Sequence, residues 1–167
     1  TEIVKILLNI EDIDVNFLNN KNEMIYEEMR NSKSEETTLY TAIDKSNLEI
    51  VNLLLSNNKI DVNIMNKYED DDENYEYTAL YFAVDKGEIK IIESLLTKEN
   101  IEINKLNKYE DEEKTALHNA VNNKNMNIID ILLRNKNIDI KVKDGRGNTP
   151  VDITEDEEIK LKLTNHK

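Results

Sequence analysis

Apolar residues recur along this chain in short blocks at helical spacing, separated by polar stretches. In the clearest stretch, Leu117, Ala120 and Val121 fall on one face of a predicted helix. A mainly polar stretch at 122–127 follows, and the same spacing then returns in a second apolar set: Ile128, Ile129, Leu132 and Leu133. The pattern therefore predicts two helices joined by a short turn, which is a helical hairpin.

The sequence of the first predicted helix is repeated. The hexapeptides TTLYTA at 37–42, TALYFA at 78–83 and TALHNA at 115–120 are copies of one unit, and TPVDIT at 149–154 is a degenerate fourth copy. Successive copies begin 41, 37 and 34 residues apart. Repetition at such a period indicates stacked helical units with a shared core, because a unit of this size cannot bury its apolar side alone.

Only one connection between the predicted helices changes in length. An extended stretch follows each second apolar block, at 60–63, 101–104 and 138–141. From its last residue to the next repeated threonine there are 15, 11 and 8 residues. We expect these variable segments to lie at surface loop tips, where doubling the length of a loop costs only about 0.6 kcal/mol.

Both ends of the chain carry partial copies. Residues 3–8 match the second apolar block and 13–16 match the extended stretch, but the helix that should precede them is missing. Residues 155–163 are short and highly charged, as expected for a terminal unit that faces water. Thr154 and Glu157 have the spacing of a capping box. We therefore expect one array, divided into a partial repeat 1–36, three repeats at 37–77, 78–114 and 115–148, and a C-terminal capping repeat 149–167.

These motifs resemble those of ankyrin-repeat proteins. The marks are the T-x-L-x-x-A signature, the I/V-x-x-L-L block, the D-V-N ending and a full D-x-x-G-x-T-P turn at 144–150. The resemblance implies an all-α repeat fold, an ankyrin-type solenoid of helix-turn-helix units joined by β-turns or hairpins. Two features depart from the family pattern. The other junctions lack the turn glycine, and Tyr40 and Tyr81 stand where the third copy has the usual His118.

The residues offer little for catalysis or metal binding. His118 and His166 are the only histidines, and cysteine is absent. No G-x-S-x-G elbow is present, and the glycines at 145–147 lack the pattern and the lysine of a phosphate-binding loop. We therefore expect no enzyme, no catalytic residue and no cofactor. The carboxylates at 70–73 are contiguous, whereas a calcium loop alternates its ligands, so we expect no metal site, with calcium as the alternative interpretation.

The formal net charge of −13 is concentrated in the variable segments. Segments 22–36, 66–76 and 107–114 carry −3, −5 and −2 respectively. This sign opposes binding to the phosphates of nucleic acids. No apolar run approaches the roughly 20 residues of a membrane span. We therefore expect neither nucleic acid nor a membrane as a partner.

Two of the acidic segments share the phrase N-K-Y-E-D, at 66–70 and 107–111. Tyrosines flanked by carboxylates suit a basic protein segment that needs both aromatic contact and charge. The alternative is a solvated surface, because a duplicated repeat copies its loop whether or not the loop binds anything. In the longest insertion, residues 22–30 are compatible with a short helix that presents Met24, Ile25 and Met29, and we expect it to pack on the N-terminal partial repeat rather than to form a partner site.

The sequence thus predicts a non-enzymatic module that binds another protein, through a basic segment of that partner, along its concave face and its acidic hairpins. The alternative is a structural spacer within a larger repeat protein. We expect a monomer, unless the apolar face of the N-terminal partial repeat self-associates. On the helices the resemblance implies as partner-binding residues Asp44, Lys45, Asp85, Lys86, Asn122 and Asn123. On the hairpins the candidates are Tyr68, Asp70, Asp71, Tyr77, Tyr109 and Asp111.

Overall fold

The computed structural model describes residues 14–25, 30–69, 74–109 and 112–166. Within them, pairs of helices alternate with β-hairpins along the chain. The apolar block at 3–8, and with it the face expected to self-associate, lies outside the described residues. So do three of the candidate partner-binding residues: Asp70, Asp71 and Asp111.

Within the described residues, the predicted helical hairpin is present three times, and a further helix follows. Each hairpin has an inner helix, which begins after a repeated threonine, and an outer helix, which carries the second apolar block. The inner helices are α1 (Thr38–Asp44), α3 (Ala79–Asp85) and α5 (Ala116–Asn122). The outer helices are α2 (Leu48–Ser56), α4 (Ile89–Leu95) and α6 (Met126–Leu133), and the last helix is α7 (Glu157–Thr164). None of the described helices is long and apolar enough to cross a bilayer.

Threonine starts each inner helix. The hydroxyl oxygens of Thr37, Thr78 and Thr115 accept hydrogen bonds from the backbone N–H three residues later, at 3.1, 3.3 and 3.3 Å. Each bond satisfies an N–H that has no partner within the helix. The repeated threonine is therefore the N-cap of each of these three helices. In the fourth copy, residues 150–153 form only a turn after Thr149.

The apolar blocks form one core that runs through the stack. Leu39, Leu80 and Leu117 of the inner helices are at most 2% exposed, and Leu95 and Leu132 of the outer helices are fully buried. Inner helices pack beside inner helices, and outer helices beside outer helices. Each repeat therefore buries its apolar residues both between its own two helices and against its neighbours.

The variable segments form one six-stranded antiparallel sheet whose strand order follows the chain. The strands are β1 (Leu18–Ile25), β2 (Arg30–Thr37), β3 (Asn66–Glu69), β4 (Asn74–Tyr77), β5 (Asn107–Tyr109) and β6 (Glu112–Lys114). Between neighbouring hairpins, Ser34 is paired with Tyr68, and Tyr75 with Tyr109. The hairpins of consecutive repeats are thus joined edge to edge, which the sequence analysis does not predict.

Two local expectations are wrong. Residues 22–25, where a short helix was considered, belong to strand β1, and residues 26–29 lie outside the described residues. Helix α7 is capped by Asp156, two residues after the expected Thr154. The Asp156 carboxylate accepts from the backbone N–H groups of Glu158 and Ile159 at 3.0 and 3.2 Å, because an aspartate next to the first turn reaches two free donors at once.

Asparagine side chains join the extended stretches of consecutive repeats. The Nδ2 of Asn63 donates to the carbonyl of Asn100 at 2.8 Å, and its Oδ1 accepts from the N–H of Glu102 at 2.9 Å. Asn16 and Asn104 make the equivalent pair of bonds to the repeat that follows each of them. We call Asn16, Asn63 and Asn104 the asparagine ladder, and it holds the repeats in register.

Candidate protein-binding surface

Three tyrosines form a row across the hairpin sheet. Tyr68 on β3 and Tyr109 on β5 are both paired with Tyr75 on β4. Because paired residues on neighbouring strands share a face, the rings meet, with centroids 5.8 Å apart for Tyr68 and Tyr75 and 4.7 Å apart for Tyr75 and Tyr109. The repeated phrase N-K-Y-E thus supplies the two outer members of this tyrosine row, and β4 supplies the middle one.

A second aromatic group joins the sheet to the inner helices. Tyr77 lies two residues after Tyr75 and so on the same face of β4. Its ring centroid is 5.5 Å from that of Phe82 and 6.3 Å from that of Tyr81, both on α3. Tyr40 of α1 stacks on Phe82 at 4.3 Å, and its hydroxyl oxygen lies 3.1 Å from that of Tyr77. Aromatic rings therefore fill the angle between the sheet and helices α1 and α3.

The two aromatic groups line one pocket of about 220 Å³, which we call the aromatic pocket. Its lining comes from β4, α3 and β5 and consists of Tyr75, Tyr77, Tyr81, Phe82, Asp85 and Tyr109. Asp85 is the last residue of α3 and is exposed to solvent. The pocket thus combines five aromatic rings with one carboxylate.

Three tyrosines at or beside the pocket, Tyr40, Tyr77 and Tyr81, are partly or fully buried. Burial raises the pKa of Tyr77 and Tyr81 far above the ordinary value for tyrosine, and the nearby carboxylate of Asp85 raises the pKa of both further by opposing a second negative charge. Burial also raises the pKa of Tyr40. These phenols therefore stay neutral at physiological pH, and the formal negative charge of the pocket comes from Asp85.

The candidate residues at the ends of the inner helices pair partly with one another. Lys86 Nζ lies 2.7 Å from the carbonyl oxygen of Asp44 and 3.2 Å from its carboxylate, and Lys45 Nζ lies 2.8 Å from the same carboxylate. The hydrogen bond from Lys45, followed by that from Lys86, lowers the pKa of Asp44. Asp85 Oδ1 accepts from Asn119 Nδ2 at 3.1 Å. Contacts between the repeats therefore occupy part of the hydrogen-bonding capacity of these residues.

Three of the candidate residues, Tyr77, Asp85 and Tyr109, come together in the aromatic pocket. Tyr68 adjoins the pocket through its stacking on Tyr75. Asn122 and Asn123 are exposed at the end of α5 and are not among the residues that line it. The nine candidates that the structure describes thus do not form one cluster, and the pocket gathers a third of them.

The sequence analysis missed three members of the pocket, Tyr75, Tyr81 and Phe82. Tyr81 was noted only as a departure from the usual histidine of the repeat. The sequence does contain a signal for Tyr75. It lies two residues before Tyr77, and residues two apart in a strand share a face of the sheet. What the sequence does not give is the angle at which that strand meets α3.

His118 has a structural role. Its Nδ1 lies 2.7 Å from Thr115 Oγ1 and 3.3 Å from the Thr115 nitrogen, and its Nε2 lies 3.1 Å from the carbonyl oxygen of Asn148. Because two donors face Nδ1 and a carbonyl faces Nε2, the proton of the neutral ring is on Nε2. In the first two repeats the N–H of the threonine is bound instead by Oδ1 of buried Asn66 or Asn107, at 2.7 Å in each case.

The aromatic pocket can attract a cation, because ring faces and a carboxylate both present negative charge. In the part of the chain that the structure describes, no group of three or more histidine or carboxylate side chains comes together in a way that could hold a metal ion. The chemistry available at the pocket is therefore that of contact and charge.

Comparison with known proteins supports the repeat fold. A family model described as ankyrin repeats (3 copies) matches residues 1–107, and one described as ankyrin repeats (many copies) matches residues 103–153. The crystal structure of EF0377, an ankyrin repeat protein, is similar with a TM-score of 0.70 at 18% identity, over 99% of this chain and 75% of that one. The ankyrin repeat domain of Bcl-3, a member of the IkappaB protein family, is similar with a TM-score of 0.63 at 21% identity, over 77% of this chain and 51% of that one. No curated protein sequence matches the chain.

Proposed function

This chain belongs to the ankyrin-repeat family, and we propose that it is a non-enzymatic module that binds another protein along the concave face of its inner helices and along its acidic hairpins. Ankyrin repeats are generally protein–protein interaction modules. The repeat boundaries at 37, 78, 115 and 149 are part of the same proposal.

The observation that carries this proposal is the aromatic pocket. Tyrosine and phenylalanine are enriched at protein interfaces, where they supply large contact area at low cost in side-chain entropy. Tyr109 is 42% exposed, and Tyr75, Tyr77 and Phe82 are partly exposed, so their rings are accessible to a partner. With Asp85 beside them and a net charge of −13, the complementary partner surface is a basic one.

The proposed surface also includes residues around the pocket. Tyr68 and the carboxylates Asp70, Asp71 and Asp111 extend it along the hairpins on the evidence of the sequence. At the ends of the inner helices the rim consists of Asp44, Lys45, Lys86, Asn122 and Asn123. Such rim residues act more on specificity and association rate than on affinity.

Charge reversal on the two sides of one helical hairpin tests the proposed face. Asp85→Arg changes inner helix α3, and Glu93→Arg makes the same change at an exposed position of outer helix α4. With the chain immobilised and an extract of its source organism as the sample, we expect one reproducible partner to bind the wild type and Glu93→Arg but not Asp85→Arg. Circular dichroism checks that both variants keep their helices.

Retention of the partner by Asp85→Arg, or its loss with Glu93→Arg, would contradict the proposed face. Capture of no partner by any of the three proteins would favour the alternative, in which the chain is a spacer within a larger repeat protein.

Association kinetics with a captured partner test the acidic hairpins. Attraction between separated surface charges weakens as the Debye length falls from ~10 Å at 0.1 M salt to ~3 Å at 1 M. We therefore expect the association rate constant to fall with salt, and to fall when Asp70, Asp71 and Asp72 are replaced by asparagine, while the dissociation rate changes little. If neither salt nor the asparagine substitutions changed the association rate constant, the hairpins would not be part of the binding surface.

A further inference from the structure

The aromatic pocket has the features of a site for a single cationic side chain. Its volume of about 220 Å³ lies below the roughly 300 Å³ at which pockets for drug-sized ligands begin. Cations are attracted to ring faces when they lie within about 6 Å of the centroid. Phe82 already shows this behaviour, because Lys86 Nζ lies 5.3 Å from its ring centroid.

We propose that the aromatic pocket binds one arginine side chain from a basic segment of the partner protein, with the guanidinium held between the tyrosine rings and the carboxylate of Asp85. The inference rests on the proposed function, since it names the group that the partner inserts. It does not depend on the acidic tips of the hairpins.

Arginine fits this pocket better than lysine for two reasons. Tyr81 is 4% exposed and Tyr77 is partly buried, and this burial raises the pKa of both, so a cation that enters between their rings loses part of its water. A guanidinium is more weakly hydrated than an ammonium group and therefore loses less. It is also planar, so it can stack on a ring while its N–H groups point to a carboxylate.

Asp85 retains the capacity to accept hydrogen bonds from such a group. A carboxylate has two oxygens with about four acceptor positions. The Oδ1 of Asp85 accepts a hydrogen bond from Asn119 Nδ2 at 3.1 Å. The opposite edge of the carboxylate can therefore receive the N–H groups of a guanidinium without breaking the link between α3 and α5.

Three cationic side chains on neighbouring elements are paired with carboxylates outside the pocket. Lys86 pairs with Asp44 while its ammonium group lies over the Phe82 ring, and Lys114 and Arg146 both pair with Glu112. The Glu112 carboxylate in turn adds to the negative potential at Tyr81. A cation from outside therefore meets the tyrosine rings and the carboxylate of Asp85.

Small molecules that resemble an arginine side chain can show whether the pocket recognises the charge of its ligand or only its shape. We propose nuclear magnetic resonance titration of the full chain with N-acetylarginine methylamide, and with the lysine and citrulline derivatives of the same form. We expect the arginine derivative to shift the ring signals of the pocket residues with saturation, the lysine derivative to do so more weakly, and the citrulline derivative to leave them unchanged. Citrulline has nearly the shape of arginine without its charge.

Equal shifts with the citrulline derivative would overturn the proposal, because the pocket would then bind an apolar or polar group rather than a cation. Binding of the lysine derivative as tightly as the arginine derivative would overturn the choice of arginine. If no probe shifted the ring signals, the pocket would not be a cation site. The captured-partner experiment would remain independent of that result.

A matched pair of variants tests the role of Asp85. Asp85→Asn removes the charge of the pocket, whereas Glu99→Gln removes one carboxylate from an exposed position after α4. We expect Asp85→Asn to weaken binding of the arginine derivative by roughly two- to fivefold, as for an exposed ion pair, and Glu99→Gln to leave it unchanged. Equal weakening in both variants would mean that net charge, not the pocket, attracts the probe.

Discussion

Among single residues, the backbone N–H of the repeated threonine has a different hydrogen-bond acceptor in the third repeat than in the first two. Its N–H lies at the start of an inner helix, in a buried position where an unpaired donor is costly. In the third repeat the imidazole of His118 accepts from Thr115, whereas in the first two repeats an asparagine of the following hairpin reaches back to Thr37 or Thr78. Asparagine therefore compensates for the tyrosine that replaces the usual histidine.

The buried imidazole makes the third repeat sensitive to pH. Burial lowers the pKa of His118 below the ordinary value of about 6.5. Because the unfolded chain then binds more protons, stability falls as the pH drops from the unfolded pKa of about 6.5 toward the lower folded pKa. We expect the urea midpoint to decrease over this window in the wild type and in His166→Gln, but less in His118→Gln. An unchanged slope in His118→Gln would assign the effect to other groups.

In the first repeat, Asn66 takes the place of the imidazole as acceptor, and we expect it to contribute to the stability of the chain. Asn66 is 2% exposed and accepts from both the N–H and the hydroxyl of Thr37. We expect Asn66→Ala to lower the free energy of unfolding by about 1–3 kcal/mol, because it leaves the buried donor of Thr37 unpaired. The control Asn74→Ala, at an exposed strand position, should cost within about 0.5 kcal/mol. Equal losses in urea denaturation would contradict this role for Asn66.

Among the helices and strands, the turn between inner and outer helix has a left-handed residue in each of the three helical hairpins. The position has a φ of 50° at Ser46, 74° at Gly87 and 51° at Lys124, so glycine fills it only once. A residue with a side chain is strained in this conformation by about 1–2 kcal/mol. Because it loses less backbone entropy on folding than glycine does, about 0.5–1 kcal/mol of that cost is offset. The periodic apolar pattern forms the hairpin despite this local cost.

Two opposite substitutions test this cost. We expect Lys124→Gly to raise the free energy of unfolding by about 0.5–1 kcal/mol, and Gly87→Ala to lower it by about as much. No atom lies within 4 Å of a Cβ built on Gly87, so the second change isolates backbone conformation from crowding. Lys124→Gln controls for the lost charge. If Lys124→Gln stabilised the chain as much as Lys124→Gly does, the gain in stability would come from the lost charge rather than from relieved backbone strain.

The helices could be predicted from the sequence because their signals are local. Apolar spacing and a capping threonine lie within one stretch of chain, as at Thr115 and Leu117. The pairing of Tyr75 with Tyr109 and the meeting of Tyr77 with Phe82 depend on how far one repeat is shifted and rotated against the next. Sequence spacing does not contain that information, so the pocket could be predicted only in part.

For the molecule as a whole, charge and packing act in opposite directions. The core runs through all the described repeats, while the carboxylates that give the chain its net charge of −13, most of it in the variable segments, repel one another. Because added salt screens this repulsion, we expect salt to stabilise the folded chain. The same screening weakens the attraction of the chain to a basic partner.

Thermal unfolding at increasing salt tests this balance. The Debye length falls from ~30 Å at 0.01 M to ~10 Å at 0.1 M, so we expect the midpoint of unfolding to rise over this range. The variant with Asp70, Asp71 and Asp72 replaced by asparagine has less charge to screen and should show a smaller rise. A midpoint that falls with salt would mean that surface ion pairs outweigh the repulsion.

The asparagine ladder makes the array easy to lengthen by gene duplication. Each of its rungs joins an amide side chain to main-chain groups of the next repeat, which are present whatever side chains that repeat carries. A duplicated repeat therefore arrives with a working attachment to both neighbours, and its remaining residues can diverge without loss of the joint. Lys141 occupies the next equivalent position and has no amide, so a copy added after it would need a different attachment.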